Sequence, residues 1–286
     1  MTRPSGRRLM MHAATIWLAA LGVAGCSEQP TVPQFDERVC DGSQQIRLAV
    51  LTAGGGPPEP GSQVINENGF DFLYVRGDCQ AWVKPYGWWE AVRRVALSEQ
   101  SSKQLFDGLA LGSWHALSGE YSGGAFDAAA LVLVTNSSKI VCGGGCFGSL
   151  VPSAILQIGD SASAQIVALT DAGTAIDGGV RFAAVRNSPG AYPFLVHLEW
   201  PLDTPTLADV ARPEPEQVEG SGVPVTDPAA AAALRALLRQ ALAGAGQNFL
   251  YHVPVRDDAG TTYRVFLRDM LPFESDAGLV TLPGGG

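Results

Sequence analysis

Phe70-Asp71-Phe72-Leu73-Tyr74-Val75-Arg76-Gly77-Asp78-Cys79-Gln80-Ala81-Trp82-Val83 is the stretch that decides the fold. Two runs rich in aromatic and β-branched residues, Phe70–Val75 and Cys79–Val83, flank Arg76-Gly77-Asp78. Such runs favour strands, and a glycine between them supplies the positive φ of a tight hairpin turn. The same pattern recurs twice. Leu131–Val134 and Lys139–Cys142 flank Asn136-Ser137, and Phe249–Val255 and Thr261–Arg268 flank Asp257-Asp258-Ala259-Gly260. Ile46–Thr52, Ile155–Ile158, Ile166–Leu169, Val180–Val185 and Pro193–Trp200 read as further strands, separated by Gly, Asp and Pro.

Two segments carry helical spacing instead. Residues 98–109 contain Ser101-x-x-Gln104, the pattern of a capping box. Residues 228–243 follow Asp227 as cap and begin with Pro228, the residue best suited to a first helical position. Leu234, Leu237, Leu238 and Ala241 form one apolar face there, with Arg235 and Arg239 opposite and Gly244 as the stop. Hairpins with two helices predict an α+β fold with a mainly antiparallel sheet.

The chain has 286 residues, 46% of them hydrophobic, enough for a sizeable core. Its 34 glycines and 19 prolines predict a loop-rich surface without reaching the composition of a disordered chain. The net charge of -9 becomes more negative without the first 26 residues, which hold Arg3, Arg7 and Arg8 and no acidic residue. Such a field repels phosphate backbones, so nucleic acid is not an expected partner.

Those first residues read as an address. Three arginines precede the apolar run Ala13–Ala24, which is too short to span a bilayer and ends in small residues, the pattern of a secretory signal peptide. Its exit, Leu21-Gly22-Val23-Ala24-Gly25-Cys26, resembles the lipobox of bacterial lipoproteins. The resemblance covers residues 1–26 only. It implies a diacylglycerol on the Cys26 thiol, cleavage before Cys26, and an acyl chain such as palmitate on the new N-terminus. Ser27 after the cysteine resembles the lipoproteins sent on to an outer membrane, where the cell has one. The expected organisation is a signal at 1–25, a lipidated tether at 26–39 and an exported domain at 40–283. The Pro-rich loop 201–228 is a candidate subdivision of that domain.

Cys40, Cys79, Cys142 and Cys146 remain. An even number in an exported chain predicts disulfides, and four cysteines allow three connectivities. The expected pairs are Cys40–Cys79 and Cys142–Cys146, because only Gly143-Gly144-Gly145 separates the second pair and bends freely. The spacing is not that of a zinc site, so no metal is expected.

Catalytic signals are sparse. Gly159-Asp160-Ser161 after the run Ile155–Ile158 resembles the nucleophile block of GDSL-type hydrolases, but Ala162 stands in place of Leu and no late Asp-x-x-His follows. His197 and Glu199 would share one face of a strand and could orient a base; His252 and His115 have no such partner. No catalytic residue is therefore assigned and no cofactor is expected beyond the lipid on Cys26. Trp82, Tyr86, Trp88 and Trp89 crowd eight residues and form the candidate binding platform, although large rings also build cores. The sequence thus predicts a lipid-anchored cell-envelope protein that binds an envelope protein or glycan, or supports the envelope, without catalysis. The alternatives are an envelope hydrolase acting on an ester or glycan, and a ligand-binding component of a transport or sensing system.

Overall fold

The computed structural model describes residues 39–53, 71–85, 87, 90–123, 129–146, 151–188, 196–213, 222–245, 252–275 and 280–283. The signal, Cys26 and most of the tether therefore lie outside the described residues, as do Tyr86, Trp88, Trp89, residues 193–195 and residues 249–251. All the described residues belong to one compact unit, Phe35–Gly286.

The fold is α+β, with two mostly antiparallel sheets. The first contains β1 (Ile46–Ala53), β2 (Phe72–Arg76), β3 (Gln80–Lys84), β4 (Arg93–Ala96), β5 (Gly119–Ser122), β6 (Ala130–Thr135), β7 (Lys139–Gly143) and β8 (Thr174–Ala175), in the order β5-β7-β6-β1-β2-β3-β4-β8. The hairpins at 72–84 and 130–143 form as the sequence predicts, and β1 joins them at the centre. Only β5 with β7 is parallel in this sheet. The second sheet contains β9 (Val180–Arg186), β10 (Leu198–Glu199), β11 (Arg212–Pro213), β12 (Val223–Val225), β13 (Val253–Arg256) and β14 (Thr262–Asp269). Its order is β10-β13-β14-β9, and the outer side of β9 is shared by β11 and β12. Pro193–Trp200, expected as a full strand, contributes only the two residues of β10 among those described. Residues 201–228, expected as a loop, contain β11, β12 and the short helix α3 (Leu207–Val210), in chain order after α1 (Glu99–Gly108) and α2 (Ser153–Ala172).

The helix α2 is the main departure from the sequence reading, which places two short strands at 155–158 and 166–169. Ile155, Ile158, Ala162 and Ile166 fall on one helical face and are all buried against the first sheet. Gly159 lets the helix approach that sheet closely, since a Cβ there would stand 3.2 Å from Leu131 Cδ2. In α1 the cap also differs: Ser98 Oγ accepts from the Ser101 backbone N–H, one turn before the predicted box. The last long helix, α4 (Pro228–Ala245), starts as expected, with Asp227 Oδ1 accepting from the Ala230 N–H at 2.8 Å.

Both faces of the central strands β1–β3 are buried, by different parts of the chain. Leu48, Val50, Leu73, Val75, Ala81 and Val83 pack under α1 and α2. Ala49, Leu51, Phe72, Tyr74 and Trp82 face the other way, toward Leu271, Phe273, Val280 and Leu282 from the end of the chain. Ile46 joins this second group although strict alternation would send it with Leu48. A register shift between Ile46 and Leu48 against β2 reverses the parity there, as a β-bulge does. A third cluster lies between the second sheet and α4.

The 76–79 turn has a different chemistry from the one expected. Its positive φ belongs to Cys79, at 62°, and not to Gly77. Gly77 is required by close approach: a Cβ there would lie 2.9 Å from the Ser43 backbone oxygen and nearer still to the Asp41 and Ser43 side chains. Gly77→Ala is therefore expected to cost about 1–3 kcal/mol, read as a lower urea midpoint with an unchanged m-value. Cys79 is paired with Cys40 and Cys142 with Cys146, at Cα separations of 4.9 and 5.3 Å.

Candidate functional site

The ionisable groups converge where the end of β14 and the segment after it, residues 268–274, pass between the two sheets. Strand β14 enters this seam as an apolar run, Val265-Phe266-Leu267, and leaves it as Arg268-Asp269. Glu274 then turns back into the interior with its side chain only 1% exposed. Its Oε1 accepts from Arg181 Nε at 2.6 Å, and its Oε2 accepts from Arg268 Nη1 at 2.7 Å and from the Leu271 N–H at 3.2 Å. Arg181 and Arg268 are themselves 2% and 6% exposed. Arg181 also donates to the backbone oxygens of Gly222 and Ser275, so one guanidinium ties β9, β12 and the final segment together.

Asp269 makes the second knot. Its Oδ1 accepts from Arg235 Nε of α4 at 2.8 Å and its Oδ2 from the Val92 N–H at 3.1 Å. Arg235 continues to the Gly178 carbonyl at 2.7 Å. The sequence places Arg235 on the solvent side of its helix; the structure instead folds its long side chain inward to this carboxylate. Arg239, one turn on, is exposed.

Lys84 stands close by, at the end of β3 and opposite Phe72. Burial lowers its ammonium pKa to about 8, partly offset by the fields of Asp269, Asp71 and Glu90 and reinforced by Arg268. Burial pushes the Asp71 carboxyl up, against a hydrogen bond from Thr52, and its Oδ1 has no hydrogen-bond partner among the described residues.

Two cavities flank the segment. One, of about 250 Å³, is bordered by Glu90, Leu234, Arg235, Leu238, Arg268 and Asp269. The other, of about 370 Å³, is bordered by Trp82, Arg94, Thr174, Asp177, Met270 and Glu274 among others.

The residues singled out in the sequence are dispersed. Trp82 is 2% exposed and packs edge-on to Phe273 with ring centroids 4.7 Å apart, so it is a core ring and not an exposed stacking surface. Tyr86, Trp88 and Trp89 lie outside the described residues. Ser161 sits inside α2, not at the end of a strand, which removes the resemblance to a hydrolase nucleophile block at that point. His115 is exposed on a 3₁₀ turn, Leu111–Leu117. His197 is half-buried ahead of β10, whose Glu199 is exposed. His252 is buried beside the Phe266 ring, and burial with the nearby Arg264 lowers it to about 4, leaving it neutral at pH 7. Among the described residues no three His, Cys, Asp or Glu side chains gather as a metal site would require.

The sequence reading missed the seam because its members are 93 residues apart at Arg181 and Glu274 and form no local pattern. The one available signal was the arginine-rich end of β14, where Arg264 and Arg268 interrupt an otherwise apolar strand. No family model matches the chain, and no curated protein or solved structure is similar to it.

Proposed function

We propose that the chain is a lipid-anchored cell-envelope protein whose exported α+β domain binds a ligand or partner without catalysis. The observation that carries this reading is the cysteine pattern. Cys40–Cys79 and Cys142–Cys146 account for every cysteine after the lipobox-like exit, which leaves Cys26 as the one thiol for a lipid. Disulfides inside a folded domain suit an oxidising compartment outside the cytosol. No helix among the described residues is long and apolar enough to cross a membrane. On this reading the attachment therefore comes from the acyl chains, more than one of which is needed for stable anchoring. The cavities at the seam favour a ligand-binding role over a purely structural one, since small-molecule sites are concave and only sparsely polar.

Cys26→Ser tests the anchor. The variant is expected to carry no lipid by intact mass and to leave the detergent-rich phase. A wild-type chain with an unmodified N-terminus beyond Cys26 would overturn the reading.

A further inference from the structure

The larger cavity is lined by three residues with polar groups that no described residue engages. Trp82 on β3 lies directly opposite Arg94 on β4, which lies opposite Thr174 on β8. Directly paired residues of neighbouring strands project from the same face, with Cβ atoms about 5 Å apart. Trp82 is almost wholly buried, yet its indole N–H has no acceptor among the described residues. A donor withdrawn from water in this way calls for an acceptor brought by another molecule. Arg94 and Asp177 are exposed at the same cavity, and neither side chain makes an ion pair or hydrogen bond with a described residue. Glu274 on the same wall is already committed to Arg181 and Arg268. Ile176, Met270 and Leu271 supply apolar surface.

The free groups are thus a neutral donor, a cation and an anion. A simple anion would leave Asp177 unmatched and meet the repulsion of a chain with net charge -9. A simple cation would leave the indole N–H and Arg94 unmatched. We infer that this cavity binds a small zwitterion with an apolar body, an apolar amino acid or its dipeptide. Its carboxylate accepts from Trp82 and Arg94, its ammonium faces Asp177, and its side chain lies against Ile176, Met270 and Leu271. The volume of about 370 Å³ sits at the small end of ligand sites.

This inference deepens the binding reading and rests on it. The test is calorimetric titration of the full chain, in mild detergent, with L-leucine, leucyl-leucine, leucinamide and 4-methylpentanoate. Saturable one-site binding is expected for leucine or its dipeptide, weakened about tenfold or more when either the carboxylate or the amine is missing. Trp82→Phe keeps an aromatic ring beside Phe273 but removes the N–H donor together with the fused five-membered ring, so its unfolding midpoint is measured alongside its binding; Arg94→Gln alters an exposed side chain. Each is expected to weaken binding about tenfold, with an unchanged unfolding midpoint for Arg94→Gln. Absence of saturable binding by all four compounds, equal affinity for the truncated ones, or undiminished binding by both variants would overturn the inference. Neither result depends on whether Cys26 carries lipid, so a failed titration leaves the anchor standing and a failed anchor leaves the titration standing.

Discussion

Glu274→Ala is expected to remove about 3–5 kcal/mol of stability, the cost of leaving buried charges without their partner. Two guanidiniums, on Arg181 and Arg268, converge on this one carboxylate, and all three side chains are withdrawn from water. A domain of ordinary stability has only about 5–15 kcal/mol in total, so the variant should lie near the edge of folding at 37 °C. Urea denaturation of wild type, Glu274→Ala and Glu274→Gln makes the measurement. The glutamine keeps one oxygen acceptor and most of the volume, and an intermediate loss is expected for it. An alanine variant within about 1 kcal/mol of wild type would mean that the seam is hydrated and not buried.

Lys84→Met is expected to act in the opposite direction, raising stability by about 3 kcal/mol at pH 7. In the unfolded chain the lysine holds its proton up to its ordinary value of 10.5, whereas in the fold it releases it at about 8. At pH 7 the group is charged in both states, and the fold bears the cost of its burial. As pH rises from 8 toward 10.5 the folded lysine is already neutral while the unfolded one still binds a proton, so wild-type stability should climb through that window. The methionine variant has this gain at pH 7 and should lack the climb. Asp269, Asp71 and Glu90 attract the ammonium and Arg268 repels it, so the folded value is a balance of these with burial. Tyr74 and Tyr263, held above the usual tyrosine range by burial, lower stability above about pH 10. A scan over pH 7–10 therefore isolates the lysine. A flat wild-type profile there, with Lys84→Met less stable than wild type, would show that the ammonium reaches water.

The hairpins were legible because their information is local: a run of apolar, largely aromatic or β-branched residues on each side of a short polar turn, as at 72–84 and 130–143. Helix α4 was legible for the same reason, with cap, proline and apolar stripe contiguous in sequence. Helix α2 was not. Gly159, Ser161 and Ser163 divide its apolar residues into two short runs, and short apolar runs do not distinguish strand from helix. Strand β4 offers little apolar signal, since Arg93 and Arg94 begin it and its pairing with β3 supplies the order. The seam and the cavity beside Trp82 depend on contacts between distant segments, which no local pattern encodes. Trp82 stands out in the sequence for its aromatic neighbours, whereas the structure gives it importance through an indole N–H with no acceptor among the described residues.

Much of the cover on the second face of β1–β3, namely Leu271, Phe273, Val280 and Leu282, comes from the last part of the chain. A polypeptide emerges N-terminus first, from the ribosome and equally when threaded through an export channel. The strands bearing Leu51, Phe72, Tyr74 and Trp82 are therefore out long before their lid arrives, with a broad greasy surface open to other chains. Until the last segment emerges, that surface needs either a holding chaperone or enough dilution to avoid aggregation. Shortening the chain by its final segment would make this transient exposure permanent.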